Sequence, residues 1–258
     1  RKKKKKEKKN KKKKEKKNDK KKKKNKTIKN GKKKIITEKK KKKKKNENVI
    51  FLYTSNVRKL LAEVSYNILD KKPNKIVAVT GTNGKSSIAE FYYQLLRLNS
   101  KKVASIGTIG INLKGKKKTL SNTTLDPILL SSTLQYLKKR KVENVIMEAS
   151  SHGLRQNRLD GLLFDVGIFT NLSHDHLDYH KNMKNYLNSK LYLFDRLIKK
   201  KGDIISDANI SQINKIKKIS VNKKLNLSLI FDKKKGIELI SHKFLNEKQI
   251  LQIKFNNK

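Results

Sequence analysis

The stretch of the chain with the clearest chemistry is VAVTGTNGKSS, Val77 to Ser87. An apolar run ends in Gly81, Thr82, Asn83, Gly84, Lys85, Ser86 and Ser87, and a helix-like pattern starts there. A strand before and a helix after give such a loop its meaning. Its glycines let backbone N–H groups come close to phosphate oxygens, and the helix start adds partial positive charge. Lys85 is placed to reach the β- and γ-phosphates of a nucleotide, and the Ser86 hydroxyl suits Mg²⁺. A ligand-free turn rich in Gly and Asn is the alternative, which the preceding strand and the internal Gly-Lys-Ser disfavour. The spacing is shorter than G-x-x-x-x-G-K-[ST], because Val79 stands where the first glycine would be.

Other residues could complete a site around such a loop. Glu148 closes the apolar run of VIMEASSHGL, and the C-terminal end of a parallel strand is the ligand side of a sheet. Ser150, Ser151, His152 and Gly153 follow, with Gln156 and Arg158 close behind; an arginine can grip a carboxylate or phosphate with two bonds. NLSHDHLDYH, Asn171 to His180, holds three of the five histidines, His176 among them, and two aspartates. Such a set suits harder ions or mixed ligation, although a His/Asp turn also serves as a plain helix cap. Ser121, Asn122, Thr123 and Thr124, ahead of Asp126-Pro127, read as a loop capping the next helix, with hydroxyls and an amide that also suit a polar substrate. Lys190 lies on a later helix. Solvent is the default place for any one lysine here, but a lysine desolvated near a metal would lose its proton and become open to modification by CO₂.

Positioning these groups falls to a regular alternation of elements. Strands are predicted at 76–80, 102–106, 142–147, 166–169 and 202–205, and helices at 86–98, 129–140 and 183–199. The last of these turns Tyr186, Leu187, Leu191, Phe194 and Leu197 inward. Upstream, 49–53 reads as a strand. A helix capped by Ser55 or Asn56 then runs to about Leu69 with Leu60, Leu61, Val64 and Ile68 on one face, and Pro73 breaks the linker at 70–75. The alternation predicts an α/β fold, a P-loop, mostly parallel sheet flanked by helices. After Ser220, LSLIF, IELIS and QILQIKF predict a small antiparallel β extension without a helix.

The 258 residues suit one large domain, or one domain plus a fragment. Of the formal net charge of +48, more than half sits in residues 1–48, which hold 31 basic and 5 acidic residues. That segment is too poor in apolar side chains to offset its ordering entropy, so a disordered tail is expected. Lysine is spread along the whole chain without an aromatic-interleaved basic stripe, so no specific nucleic-acid function is read from the charge. Absence of cysteine excludes disulfides, thiolate metal sites and cysteine nucleophiles. No apolar run reaches the roughly 20 residues that span a bilayer, and the basic start lacks a following apolar stretch. A cytoplasmic monomer is expected.

Taken together, VTGTNGKSS, SIGTIG, SNTTLDP, MEASSHGLRQNRLDG, FTNLSHDHLDYH and YLNSKLYLFDRL closely resemble the MurE-type members of the Mur ligase family, in order and spacing, from about Val49 to Leu197. These are ATP-dependent enzymes that add the third residue to a UDP-N-acetylmuramoyl dipeptide. The resemblance implies that Gly81 to Ser87 hold the ATP phosphates and that Ser86, Glu148 and His176 serve Mg²⁺. It implies that Lys190 is the family's carbamylated lysine, and that Lys85, Lys190 and His176 are its catalytic groups. Asn122, Thr123, Thr124, Ser150, Gln156 and Arg158 would contact the UDP-muramoyl-dipeptide. Ser86 and Ser87 replace the more usual threonines, and Leu125 a frequent proline. The incoming amino acid would be meso-diaminopimelate, with lysine as the alternative.

The same resemblance divides the chain. Residues 1–48 would stand where the family has its uridine-binding domain, as a lysine-rich remnant. Residues 49–75 would be that domain's end and a linker, and 76–258 an incomplete ATP-binding central domain. The C-terminal domain is expected to be missing, leaving the fragment inactive alone. Competing readings are another ligase of the superfamily, such as folylpolyglutamate synthase, and a lysine-tailed nucleic-acid binder.

Overall fold

A computed structural model describes residues 33–38, 49–69, 71–231, 237–246 and 248–255. The chain forms two units, residues 1–57 and 58–258. In the first, β1 (Lys33–Thr37) and β2 (Val49–Tyr53) pair in parallel. Apart from that strand and its next residue, the tail expected over 1–48 lies outside the described residues.

The second unit is built on a ten-stranded sheet. Its strands are β3 (Lys75–Thr80), β4 (Val103–Gly107), β5 (Gly110–Leu113), β6 (Lys116–Lys118) and β7 (Asn144–Glu148). They continue as β8 (Phe164–Phe169), β9 (Ile198–Asp207), β10 (Asn226–Ile230), β11 (Ile237–Leu245) and β12 (Lys248–Phe255). The order across the sheet is β12-β11-β10-β9-β8-β3-β7-β4-β5-β6. From β10 to β4 every neighbouring pair is parallel. Antiparallel pairs add β5 and β6 at one end and β12 at the other.

The central strands are buried on both faces, which is why β3, β4 and β7 read as unbroken apolar runs rather than alternating ones. Helix α1 (Val57–Asn67) precedes β3, and helices α2 (Lys85–Leu98), α3 (Pro127–Lys139), α4 (Ser151–Arg155), α5 (Leu177–His180), α6 (Met183–Tyr192) and α7 (Ile213–Lys223) lie in the connections between the strands. Helix α3 starts where Asp126 accepts hydrogen bonds from the Ile128 and Leu129 amides at 3.1 and 3.0 Å. Pro127 gives up no bond in the first turn. Its Leu130, Leu134 and Leu137 are fully buried in one core with Ala104, Val145 and Met147.

Four local expectations change. Helix 183–199 stops at Tyr192, continues as a π-helical turn at Leu193–Leu197 and gives way to β9, because Ile198 pairs with Phe164 in the sheet. Its inward side chains Tyr186, Leu187, Leu191, Phe194 and Leu197 are all buried as predicted. LSLIF belongs to the parallel sheet through β9, and only β11 and β12 form the antiparallel extension. Helix α7 precedes it, running to Lys223 past Ser220, in a stretch where the sequence reading placed no element. Finally, α1 buries Ala62, Ser65 and Tyr66 while Leu61, Val64 and Ile68 are exposed. A buried polar contact sets that rotation, since the Tyr66 hydroxyl donates to the Arg158 carbonyl at 2.8 Å.

Candidate active site

Strand register brings the site together. Val79 of β3 pairs with Glu148 of β7, Ile106 of β4 with Met147, and Thr80 with Phe169 of β8. The residues that follow these strand ends, Gly81, Thr108, Ala149 and Thr170, therefore emerge on the same edge of the sheet. The loop Gly81 to Gly84 is tied across to β8: the Thr82 amide donates to Asn171 O at 3.0 Å and the Asn83 amide to Asn171 Oδ1 at 2.9 Å. Gly84, at φ 81°, turns the chain into α2 in a conformation other residues adopt at a cost.

The Lys85 ammonium lies on its own loop, donating to the carbonyls of Gly81 at 3.0 Å and Thr82 at 2.7 Å. The Lys190 amine donates to the same Gly81 carbonyl at 2.6 Å. Lys190 is 1% exposed, so the default of a solvated lysine does not hold for it. Its Nζ stands 4.3 Å from the centre of the Tyr186 ring, whose hydroxyl meets Thr82 Oγ1 at 3.1 Å. Burial, helped by the neighbouring Lys85 charge, pushes Lys190 down to about 7. Burial also lowers Lys85, against the pull of Glu148 and Asp175.

Glu148 is 2% exposed, and among the described residues Ser86 and Thr108 donate to its carboxylate. Ser86 Oγ donates to Oε1 at 2.9 Å, the Thr108 amide donates to Oε1 at 2.8 Å, and Thr108 Oγ1 donates to Oε2 at 3.1 Å. Gly107 is required beside it, because a Cβ there would fall 2.6 Å from the carboxylate carbon.

The two polar loops join on the other side. Thr124 Oγ1 donates to the Glu148 carbonyl at 2.9 Å and accepts from the Ser150 amide at 2.9 Å. Ser150 Oγ caps α4 by accepting from Gly153 N at 3.1 Å. Arg158 spans both loops, giving Nη1 to the Thr124 carbonyl at 2.6 Å and both Nε and Nη2 to Gln156 Oε1 at 3.0 and 2.7 Å.

A cavity of about 340 Å³ is lined by Gly81, Lys85, Ser86, Asn122, Thr123, Thr124, Glu148, Ser150, Gln156, Arg158, His176 and Lys190. These come from every motif that the sequence singled out except SIGTIG. Thr82, Asn83, Gly84 and Ser87 belong to the loop without lining the cavity. His176 is an exposed residue at the start of α5 in a left-handed conformation, φ 52°, with Nε2 3.3 Å from Asp175.

Thr108 and Tyr186 also line the cavity and were not singled out as site residues, and Ser151 and His152 of the polar turn line it without having been given a role. His152 packs against His176 and Tyr179 at ring distances of 4.8 and 4.2 Å, and burial lowers its pKa. His180 is buried beneath them and pushed down to about 4, chiefly by burial, so both imidazoles are neutral at neutral pH. Thr108 did carry a signal, since SIGTIG places a hydroxyl at the end of a buried strand as VIMEA places a carboxylate.

Among the described residues no group of three His, Cys, Asp or Glu side chains could hold a metal, and no helix is long and apolar enough to cross a membrane. A cation would be held by few protein groups plus ligand and water oxygens, the habit of Mg²⁺. Ser86 Oγ and Glu148 Oε1 are hard oxygen donors side by side on the cavity wall, 2.9 Å apart, the type of ligand that Mg²⁺ takes. The donor set fits that ion.

With this geometry in hand, comparison with known proteins is specific. Residues 79–256 match the Mur ligase middle domain. The UDP-N-acetylmuramoyl-L-alanyl-D-glutamate–2,6-diaminopimelate ligase of Rickettsia montanensis is 36% identical over 212 residues, covering 80% of this chain and 44% of the relative. The ligase of the same name from Buchnera aphidicola subsp. Schizaphis graminum is 47% identical over 138 residues, 54% of this chain and 27% of the relative. A solved structure of a ligase of that name superposes with a TM-score of 0.71 at 25% identity, covering 84% of this chain and 44% of that one. Folylpolyglutamate synthase of L. casei shares the fold, with a TM-score of 0.60 at 14% identity over 76% of this chain and 53% of its own. The chain thus spans less than half the length of these two ligase relatives. Over most of its length it belongs to the Mur ligase family, as that family's middle domain.

Proposed function

We propose that the chain is the nucleotide-binding part of an ATP-dependent ligase. That ligase would join an amino acid, meso-diaminopimelate, to the D-glutamyl carboxylate of UDP-N-acetylmuramoyl-L-alanyl-D-glutamate. The observation that carries this reading is the meeting, in one cavity, of the loop lysine Lys85 with the Ser86–Glu148 oxygen pair and the buried Lys190. The names of the relatives support the substrate and the amino acid.

In this reading the backbone of residues 81–87 and the start of α2 cradle the phosphates of ATP. Lys85 leaves the Gly81 and Thr82 carbonyls for the β- and γ-phosphates, so nucleotide binding exchanges two internal hydrogen bonds for charge-assisted ones. Ser86, Glu148 and His176 would hold Mg²⁺, which when bound neutralises charge on the phosphates. Asn122, Thr123, Thr124, Ser150, Gln156 and Arg158 would orient the muramoyl dipeptide, with Arg158 locking the two loops together. A glutamyl carboxylate oxygen attacks the γ-phosphorus as ADP leaves, giving an acyl phosphate. The amine of the amino acid then attacks the acyl carbon, phosphate departs and the amine proton is released. Positioning and charge neutralisation do most of this work.

Lys190 has the burial and lowered proton affinity that carbamylation needs, because only the neutral amine attacks CO₂. Its nitrogen would bond to the carbon of CO₂ and release a proton, leaving an anionic group beside the Gly81 carbonyl. Residues 1–48 and 49–75 fit the remnant and end of a uridine-binding domain, with 76–258 the central domain.

Binding of ATP to the 258-residue chain, followed by calorimetry with and without Mg²⁺, tests the reading. Mg²⁺ should tighten binding in the wild type, and Lys85→Ala should abolish it. Unchanged ATP binding in Lys85→Ala would show that the loop is not a phosphate site.

A further inference from the structure

Thr108 has no role in the reading above, yet it touches both halves of the site. Its amide and hydroxyl hold the two oxygens of Glu148 separately, at 2.8 and 3.1 Å. Its hydroxyl also meets Thr123 Oγ1, in the loop opposite, at 3.0 Å. The direction of that last bond follows from chemistry. A carboxylate only accepts, so the single hydroxyl proton of Thr108 goes to Glu148. Thr123 must then be the donor, and the chain of bonds runs Thr123 to Thr108 to Glu148. With its proton committed, Thr123 offers the cavity lone pairs alone.

We infer that Thr108 is a positioning residue that fixes the Glu148 carboxylate as a one-oxygen metal ligand and ties its orientation to the Asn122–Thr124 loop, leaving Thr123 as a hydrogen-bond acceptor for the bound substrate. The inference rests on the reading of this cavity as a Mg²⁺-nucleotide site. Gripping each oxygen from a different group keeps the carboxylate from rotating, and Oε1 stays turned toward Ser86. Gly107 permits the arrangement by leaving room for the carboxylate against β4. A substrate group resting on Thr123 must bring its own proton, as an amide N–H or a hydroxyl does. That requirement rejects a carboxylate or carbonyl oxygen at that position.

The test uses the full chain and a fluorescent ADP analogue, titrated with Mg²⁺ and separately in EDTA. Thr108→Val should raise the Mg²⁺ concentration at half-effect by about 10- to 100-fold, the usual cost of losing a group that orients a metal ligand. Its binding in EDTA should stay close to the wild-type value, while its thermal unfolding midpoint should fall by a few degrees, because a buried carboxylate oxygen loses its donor. Thr108→Ser, which keeps the hydroxyl, should titrate close to the wild type, and a pure packing role for the methyl group would not allow that rescue. Thr123→Val should have a smaller effect and add nothing in the Thr108→Val background, because the link is already cut. If Thr108→Val does not fold, Thr108→Ala takes its place. A Mg²⁺ response unchanged in Thr108→Val, or a Thr108→Ser variant as impaired as Thr108→Val, would overturn the inference while leaving the nucleotide site standing. A wild type whose nucleotide binding ignores Mg²⁺ would overturn both.

Discussion

Lys190 offers the most quantitative handle on this site. It is 1% exposed and sits near the Lys85 charge, and burial lowers its pKa from 10.5 to about 7. A displacement of that size corresponds to about 5 kcal/mol, at 1.36 kcal/mol per unit. The sign follows from linkage. In the unfolded chain Lys190 is protonated below pH 10.5, whereas in the folded chain it gives up its proton down to about pH 7. Between those values the unfolded state binds more protons, so stability rises with pH, at up to about 1.4 kcal/mol per pH unit. Below about pH 7 both states are protonated there and the contribution is flat. Lys190→Met keeps the length and apolar stem and removes the titration.

Urea unfolding of both proteins from pH 6 to pH 9.5, in CO₂-free buffer, measures the difference directly, because lysines not coupled to Lys190 cancel. The wild type should gain on Lys190→Met by about 1 kcal/mol or more per pH unit above pH 7 and by nothing below it. Admitting ¹³C-labelled bicarbonate at pH 8 should then produce a carbamate resonance in the wild type that Lys190→Met lacks. A normal lysine at that pH is neutral about 0.3% of the time and one with a pKa near 7 about 90%, a gain of roughly 300-fold in reactive amine. Parallel stability profiles would show that Lys190 keeps its proton in the folded chain and would remove the basis for its modification.

Other changes probe separate layers of the argument. Gly107→Ala puts a methyl group where the Glu148 carboxylate lies, so Mg²⁺-dependent nucleotide binding should fall by at least about 10-fold in the titration used for Thr108. Asp126→Ala removes the side chain that accepts from the first two amides of α3 and should cost about 1 kcal/mol in urea unfolding. Leu134→Ala, at a fully buried position of the same helix, should cost about 2–5 kcal/mol in that assay.

How much of this was legible in the sequence depended on how local the cause was. The P-loop and the strand-end Glu148 are short strings whose geometry is set by their own backbone, and each lies where it was expected; helix α3 starts two residues before the expected 129, because Asp126 caps it. The α1 face was misread because the apolar spacing of Leu61, Val64 and Ile68 outvoted Tyr66, whose hydroxyl is anchored to a carbonyl 92 positions away. The long helix after Met183 was overrun for a similar reason. Nothing in LFDRLIKK announces that Ile198 will pair with Phe164 in a sheet. Helix α7 escaped because it buries only Ile216 and Ser220 fully, too thin a stripe to stand out among its lysines.

The site itself follows the same rule, with one instructive difference. Composition places Lys190 in water, and burial of its amine needs two distant stretches: the loop that holds Gly81 and Thr82, and its own helix, whose Tyr186 ring is fixed by the Thr82–Tyr186 bond. No window of sequence holds them all. Thr108 is similar, since its meaning comes from the register that sets β4 beside β7. Motifs therefore gave the candidate phosphate-binding groups and, by resemblance, Lys190, while the contacts that bury Lys190 and aim Glu148 became visible only in the fold. The chemistry assigned to Lys190 and to Thr108 stands or falls on contacts between residues far apart in sequence, so the variants that cut those contacts test the fold's contribution to the site more sharply than any change within the P-loop.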